Sequence, residues 1–419
     1  MNYFKKYSCS IVDWQNTTGV NTSSMNSTKM VLRAVPLLLL IFSLLLHGFL
    51  YPQLKTLYKS GTIKLEAEKT FASQTDWESL FYDMYKSIVL GPDGSVFISN
   101  SRQHTIFKFS PSGKLMARFG RNGQGPGDLY FPHEISVLDE KYLVVGEYAT
   151  ARRISLFDLE GKFKKVLRTP RNCFSPMALK ENRIAYLSFM SKNDKFEEVN
   201  VWIRDVTTGK EVSVTSAEFS RRNLIRAKNN YTISFESHLG ELIIARTEDG
   251  NLLVGISNTP DIDIYSPQGK RLRSFRLNIK PDPVTSRYIK EFKQAYIDEV
   301  SEIKAARPYI ETIKKASFEK GFDRYLPYYR NILVDSDGSI LVFNWLDCVT
   351  HCLKKFQVYS PEGKFISEVF LDEGKFAVDI NHLWQQLLFS SRGIFAYVQL
   401  KDSIDISPRL IRVNVPGEN

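Results

Sequence analysis

Cysteine and histidine are scarce in this chain, with four and six among 419 residues. That scarcity excludes a disulfide-dense scaffold and leaves few groups from which to build a soft-metal site. Cys9 and Cys173 stand alone in sequence. Cys348 and Cys352 flank Val-Thr-His, where a local disulfide or two unreacted thiols are the favoured readings. The alternative, a metal held by Cys348, His351 and Cys352, crowds its ligands into one short loop with no second cluster. The order is also wrong for covalent haem attachment.

Dense positive charge is missing as well. Of the formal charge of +10, residues 1–61 carry half, from Lys5, Lys6, Lys29, Arg33, Lys55 and Lys59 against Asp13. The remainder is spread thinly over a large body, whereas a nucleic-acid binder concentrates it in a stripe. No phosphate loop is present: Gly120, Gly123, Gly125 and Gly127 open no helix, and no Lys-Ser/Thr follows them. No serine stands in a Gly-x-Ser-x-Gly turn. Asp335-Ser-Asp-Gly338 lacks the remaining ligands of a calcium loop and reads as a hairpin turn.

One long apolar run is present, residues 34–51, broken only by Ser43 and His47 and preceded by Lys29 and Arg33. It sits at the lower limit of a bilayer span and slightly above an ordinary signal-peptide core. The expectation is an exported protein, periplasmic or extracellular, with 1–33 as a disordered or targeting leader. Residues 34–51 then serve as a signal peptide or a single membrane anchor.

The rest of the chain repeats itself. A first kind of turn recurs six times between apolar strands, at Gly91–Gly94, Leu138–Lys141, Lys180–Arg183, Thr247–Gly250, Asp335–Gly338 and Ser390–Gly393. A second turn follows roughly 20 residues later and ends in Gly-Lys at Gly113, Gly161, Gly209, Gly269 and Gly363. Such a period marks units that cannot bury their apolar faces alone. Four short strands with three reversals, as in Ser87–Phe119, make one propeller blade.

The first turn has six copies and the second only five, so the last blade lacks its outer strand. Thr62–Phe71 is a strand-like piece without a partner of its own. The predicted fold is therefore all-β, a six-bladed β-propeller of four-stranded antiparallel blades over 62–415. Its N-terminal strand closes the last blade and leaves no open edge. The jump in Gly-Lys spacing before Gly363 marks one helical insertion between blades four and five, at 284–320. Within it Ile289, Phe292, Tyr296, Val300 and Ile303 step by three and four.

Phe119-Gly-Arg-Asn-Gly-Gln-Gly-Pro-Gly-Asp128, then Phe131-Pro-His-Glu-Ile135, then Arg153–Lys162 resembles the NHL-repeat group of six-bladed propellers, particularly its exported bacterial branch. The strong match covers about 50 residues. The chain departs from the group where an Asp usually ends the second strand; Asn100, Glu147, Ser188, Ile256, Asn344 and Val398 stand there. The regular Asp–Arg brace is thus expected to be largely absent. Some six-bladed relatives are enzymes that hold zinc or calcium in the channel. That gives the alternative reading, a metal-dependent lyase or lactonase-like hydrolase.

The residues themselves favour a binding module over an enzyme. Both turn types share one face, and the irregular segments fall on the other. At the channel mouth of that second face the aligned positions are Lys86, His133, Phe174, Leu242, Arg330 and Gln385, a mixed, cationic ring with no metal cage. The insertion adds Tyr309, Arg324, Tyr325, Tyr328 and Tyr329, aromatic groups of the kind that line pockets. The expected partner is a peptide, a protein or an anionic small molecule, without cofactor, metal or nucleic acid. Any membrane contact would run through the N-terminal segment.

Overall fold

The computed structural model describes residues 54–67, 71, 87–147, 152–192, 196–220, 223–226, 232–235, 240–302, 310–311, 323–344, 355–372, 374, 376–378, 387–400 and 409–413. The leader and the apolar run of 34–51 lie outside them, as do Lys86, Tyr309, Cys348, Cys352 and Gln385. Among the described residues no helix is long and apolar enough to cross a membrane.

The strands assemble into a six-bladed propeller. Blade one is Ile88–Leu90, Val96–Asn100, Thr105–Phe109 and Leu115–Phe119. Blade two is Pro132–Leu138, Tyr142–Glu147, Arg153–Asp158 and Phe163–Arg168. Blade three is Phe174–Ala178, Arg183–Ser191, Phe196–Asp205 and Glu211–Ser220. Blade four is Leu242–Arg246, Leu252–Ile256, Asp261–Tyr265 and Arg271–Arg276. Blade five is Asn331–Val334, Ile340–Phe343, Lys355–Tyr359 and Phe365–Asp372. In blade six, Phe376–Val378 and Leu387–Ser390 both pair with Gly393–Leu400, which also pairs with Arg409–Val413.

The second strands of blades one and five, Val96–Asn100 and Ile340–Phe343, are buried along their whole length, because each blade is apolar on both faces and must be covered twice. The covering is continuous around the ring. Phe97 and Ile106 meet Leu143 and Phe157 between blades one and two. Leu156 meets Tyr186 in the next seam, Val201 meets Leu252 in the third, and Ile262 meets Ile340 in the fourth. Phe343 and Phe356 meet Phe389 and Ile394 between blades five and six. Phe395 and Leu410 then meet Val96 and Phe109, returning to blade one.

The N-terminal segment completes the circle. Ala67 makes an antiparallel bridge to Val413 on the last strand of blade six, and Phe71 meets Phe395 edge-on at 5.8 Å. A second attachment was not legible in the sequence. Thr62–Lys64 adds in parallel to Phe370–Asp372, making blade five a five-stranded sheet. Ahead of it a short helix, Leu54–Lys59, sets Leu54 and Tyr58 into the seam of blades five and six. The Tyr58 hydroxyl donates to Asp335 Oδ2 at 2.7 Å.

Turn chemistry explains the hairpins. The five Gly-Lys glycines all lie at φ between 74° and 88°, where only glycine sits without strain. In blades two and three the first turn lacks glycine, and Asp139-Glu140 and Glu181-Asn182 themselves take left-handed φ, as a type I′ turn requires. The insertion between blades four and five contains the helix Ser286–Glu302, capped where Thr285 Oγ1 accepts from the Tyr288 N–H at 3.1 Å. A second insertion, the hairpin Asn223–Arg226 with Thr232–Phe235, separates blades three and four and accounts for the longer Gly209–Gly269 spacing.

Burial raises the pKa of Asp335 to about 6, against the partial opposition of the Tyr58 hydroxyl. The folded protein therefore holds that proton more tightly than the unfolded chain does. The contribution is fully present below about pH 4 and is lost as pH rises through about 6. Between pH 5 and pH 7 the melting temperature of the wild type should fall by more than that of Asp335→Asn, measured by circular dichroism. An equal fall in both removes Asp335 as the cause.

Candidate functional site

In a four-stranded meander the inner strand begins on the face of the crossovers and ends on the face of the turns. Residues just before or within the first turn of each inner strand therefore gather around the crossover-side mouth of the channel. In blade two this position carries His133 and Glu134, with His133 Nδ1 3.0 Å from Glu134 Oε1. Burial alone would lower the His133 pKa, but the Glu134 carboxylate raises it overall. Burial opposes ionisation of Glu134, and the imidazole beside it holds its pKa below the usual value. Ser175, on the inner strand of blade three, donates to the same carboxylate oxygen at 3.4 Å from a left-handed backbone of φ 49°. Cys173 nearby is a buried free thiol, its pKa pushed well up by burial.

On blades four and five the same position carries Glu241 and Arg330, with Arg330 Nη1 3.8 Å from Glu241 Oε1. Ser257 ties this side together. Its hydroxyl accepts from the Glu241 N–H at 2.7 Å, and its carbonyl accepts from the Tyr328 N–H at 2.7 Å. The mouth thus presents two pairs of a basic side chain with a carboxylate, His133 with Glu134 and Arg330 with Glu241, on different blades. Such pairs can receive a ligand through either charge, and each is anchored by the backbone of an inner strand. Among the described residues no group of three or more His, Cys, Asp or Glu is placed to hold a metal ion.

The insertion approaches this face through its return segment. Val284 N–H donates to Arg324 O, and Leu326 N–H donates to Asp282 O. Tyr288 and Leu326 are buried together, with Phe292 stacked on Tyr288 at 6.0 Å. The helix stripe thus meets its own return segment through Tyr288, a residue outside the periodicity read from the sequence. Arg324 and Tyr325 are exposed, with the guanidinium carbon 5.3 Å from the ring centroid. Tyr328 is half-buried and Tyr329 fully buried, both in the seam of blades four and five. Tyr329 is therefore a wedge between blades, out of reach of a ligand. Among the described residues its hydroxyl has no hydrogen-bond partner, and it lies where a Cβ on Gly255 would be 2.6 Å away.

The expected loss of the Asp–Arg brace needs one correction. In blade two Glu147 takes the place of the usual Asp and keeps the brace. Its carboxylate accepts from Arg153 Nε at 2.7 Å, from the Ser155 hydroxyl at 2.6 Å and from the Tyr130 N–H at 2.8 Å. Arg153 also donates to the carbonyls of Gly123, Gln124 and Asp128. The Gly-rich crossover is thus wrapped around a buried guanidinium and acts as a structural loop.

A family described as a 6-bladed beta-propeller matches residues 74–245. Among solved structures, a member of the duf4221 family from Bacteroides vulgatus is 10% identical, covering 83% of this chain and 96% of its own, with a TM-score of 0.46. Regucalcin from Agrobacterium tumefaciens, a calcium-binding protein, is 7% identical over 84% of this chain and 94% of its own, with a TM-score of 0.41. A gluconolactonase from Xanthomonas campestris is 10% identical over 76% and 84%, with a TM-score of 0.39. No curated protein matches the chain.

Two substitutions test this framework. Arg153→Met leaves the fully buried Glu147 carboxylate without its ion partner and should cost about 3–5 kcal/mol in urea unfolding. Gly255→Ala forces Tyr329 and Ile262 to move and should cost about 1–3 kcal/mol. A cost near zero for either contradicts the packing described.

Proposed function

We propose that this chain is an exported or membrane-tethered propeller that binds a ligand or protein through its crossover face. The observation that carries the reading is where the chain abandons its own repeat. The helix Ser286–Glu302 is inserted on that face. The hairpin of blade three also extends there, with strands of nine and ten residues where blade one uses five. At about 3.3 Å per residue the extra length lifts the hairpin roughly 13 Å above its neighbours. Phe189, Met190 and Phe196 near its end are 36–50% exposed, and Tyr325 on the insertion is 46% exposed. The His133–Glu134 and Arg330–Glu241 pairs stand at the start of inner strands, which supports the same face. Projecting aromatics around a charged floor, on loops held by a rigid frame, suit a peptide or an anionic ligand. Lys86, Gln385 and Tyr309 belong to the same proposed surface by their sequence positions.

The test uses the full chain to capture partners from the envelope fraction of its native cell. Arg324→Ala/Tyr325→Ala and Arg330→Ala should each weaken capture at least about tenfold, while Arg118→Ala on the outer strand of blade one leaves it unchanged. Equal capture by all variants overturns the reading. The alternative, a metal-dependent lyase or lactonase-like hydrolase with its site in the channel, predicts stoichiometric zinc or calcium in the purified full chain by metal analysis.

A further inference from the structure

The opposite end of the channel holds a feature that the crossover face does not explain. Arg246 ends the inner strand of blade four on the turn face. Its Nη1 donates to the carbonyl of Val137 at 2.9 Å, on the inner strand of blade two. Blade three lies between those two blades, so the side chain reaches across the bore. It borders a cavity of about 220 Å³ lined by Leu90, Gly91, Pro92, Val137, Glu140 and Arg246.

Among the described residues, Arg246, Asp139, Glu140 and Glu248 around this cavity form no ion pair. Arg246 is only partly exposed, and Val137 O is its one hydrogen-bond partner among the described residues. Burial lowers its pKa, although Asp139, Glu248 and Glu140 act in the other direction from beyond ion-pairing reach. Asp139 Oδ2 accepts from the Asn182 N–H at 2.7 Å, which fixes the carboxylate in the turn and leaves its charge in place. Glu140 sits on the exposed turn that lines the cavity, at φ 56°. A guanidinium carries five N–H donors, so most of those on Arg246 remain for a ligand. The partly desolvated Arg246 guanidinium and the exposed Glu140 carboxylate do not pair with each other, so a ligand carrying both charges can meet the two at once.

We propose that this cavity binds a zwitterionic α-amino acid with an aliphatic side chain. The ligand carboxylate takes the free donors of Arg246, in the planar geometry that guanidinium groups favour. Its ammonium faces Glu140. The aliphatic chain lies against Leu90, Pro92 and Val137, which supply the apolar part of the lining. A simple anion meets Arg246 but is repelled by Glu140, Asp139 and Glu248. A simple amine meets Glu140 but leaves Arg246 uncovered. Only a group with both charges matches the site. The site lies on the turn face and is independent of the binding proposed for the crossover face.

Isothermal titration of the full chain with L-leucine tests this, against 3-methylbutanoate, which lacks the ammonium, and 3-methylbutan-1-amine, which lacks the carboxylate. Leucine should bind at least about tenfold tighter than either half. Arg246→Met should weaken leucine at least about tenfold and abolish its advantage over the amine. Glu140→Gln, at an exposed turn position, should weaken leucine while improving 3-methylbutanoate. Because Arg246→Met also removes the bond across the bore, Glu140→Gln decides the matter if the arginine variant fails to fold. Absence of leucine binding to the wild type, leucine no better than its halves, or a Glu140→Gln variant indistinguishable from wild type overturns the proposal.

Discussion

Everything in this molecule depends on closing a ring of sheets that are apolar on both faces. An isolated blade exposes two hydrophobic surfaces and cannot pay the entropy of its own ordering. Each seam is therefore both a core and a joint. The seam between blades five and six carries the heaviest duty, because the first and last parts of the chain meet around it. There Tyr58, Ile63 and Leu65 from the N-terminal segment pack with Phe343, Phe356, Phe389 and Ile394. The segment then crosses to Val413 and reaches Phe395 through Phe71, so one short stretch fastens two blades.

Closure separates the two faces in kind. On the turn face, neighbouring blades are stitched by short polar contacts. Asp139 meets Asn182 and Lys180 meets Gly250, while Ser336 meets Ser391 and Arg392 meets Pro92. Turns held this closely leave no room for long insertions, and among the described residues Arg246 lies across the bore there. The crossover face has looser bounds. A crossover must span from the outer edge of one blade to the centre of the next, and lengthening it breaks no ladder. The insertions and the long blade-three hairpin accumulate on that side for this reason.

The repeat count, the missing outer strand and the insertion between blades four and five were legible because each leaves a mark in spacing. Glycine at the left-handed turn positions and alternating apolar strands are local requirements, so they are written locally. The strand pair Asn223–Arg226 with Thr232–Phe235 left only a longer Gly209–Gly269 interval in the sequence, which does not name it. Tyr329 read as a pocket aromatic because sequence shows its type and neighbourhood, while its burial depends on Gly255 from another blade. Arg246 carried a faint signal, a cation ending an apolar strand. Nothing in the sequence says that its partner is a carbonyl 109 residues away.

The sequence by itself determined the unit and its number: four strands to a blade, six blades to the ring, and the head of the chain joined to its tail. Periodicity and turn geometry are short-range properties, and the ring follows from repeating them. Only the tertiary structure decided which polar groups face one another, as with Glu134 and Ser175, Glu241 and Arg330, or Arg246 and Val137. These groups come from different blades, and their meeting is set by the angle and registry of packed sheets, which no stretch of neighbouring residues encodes.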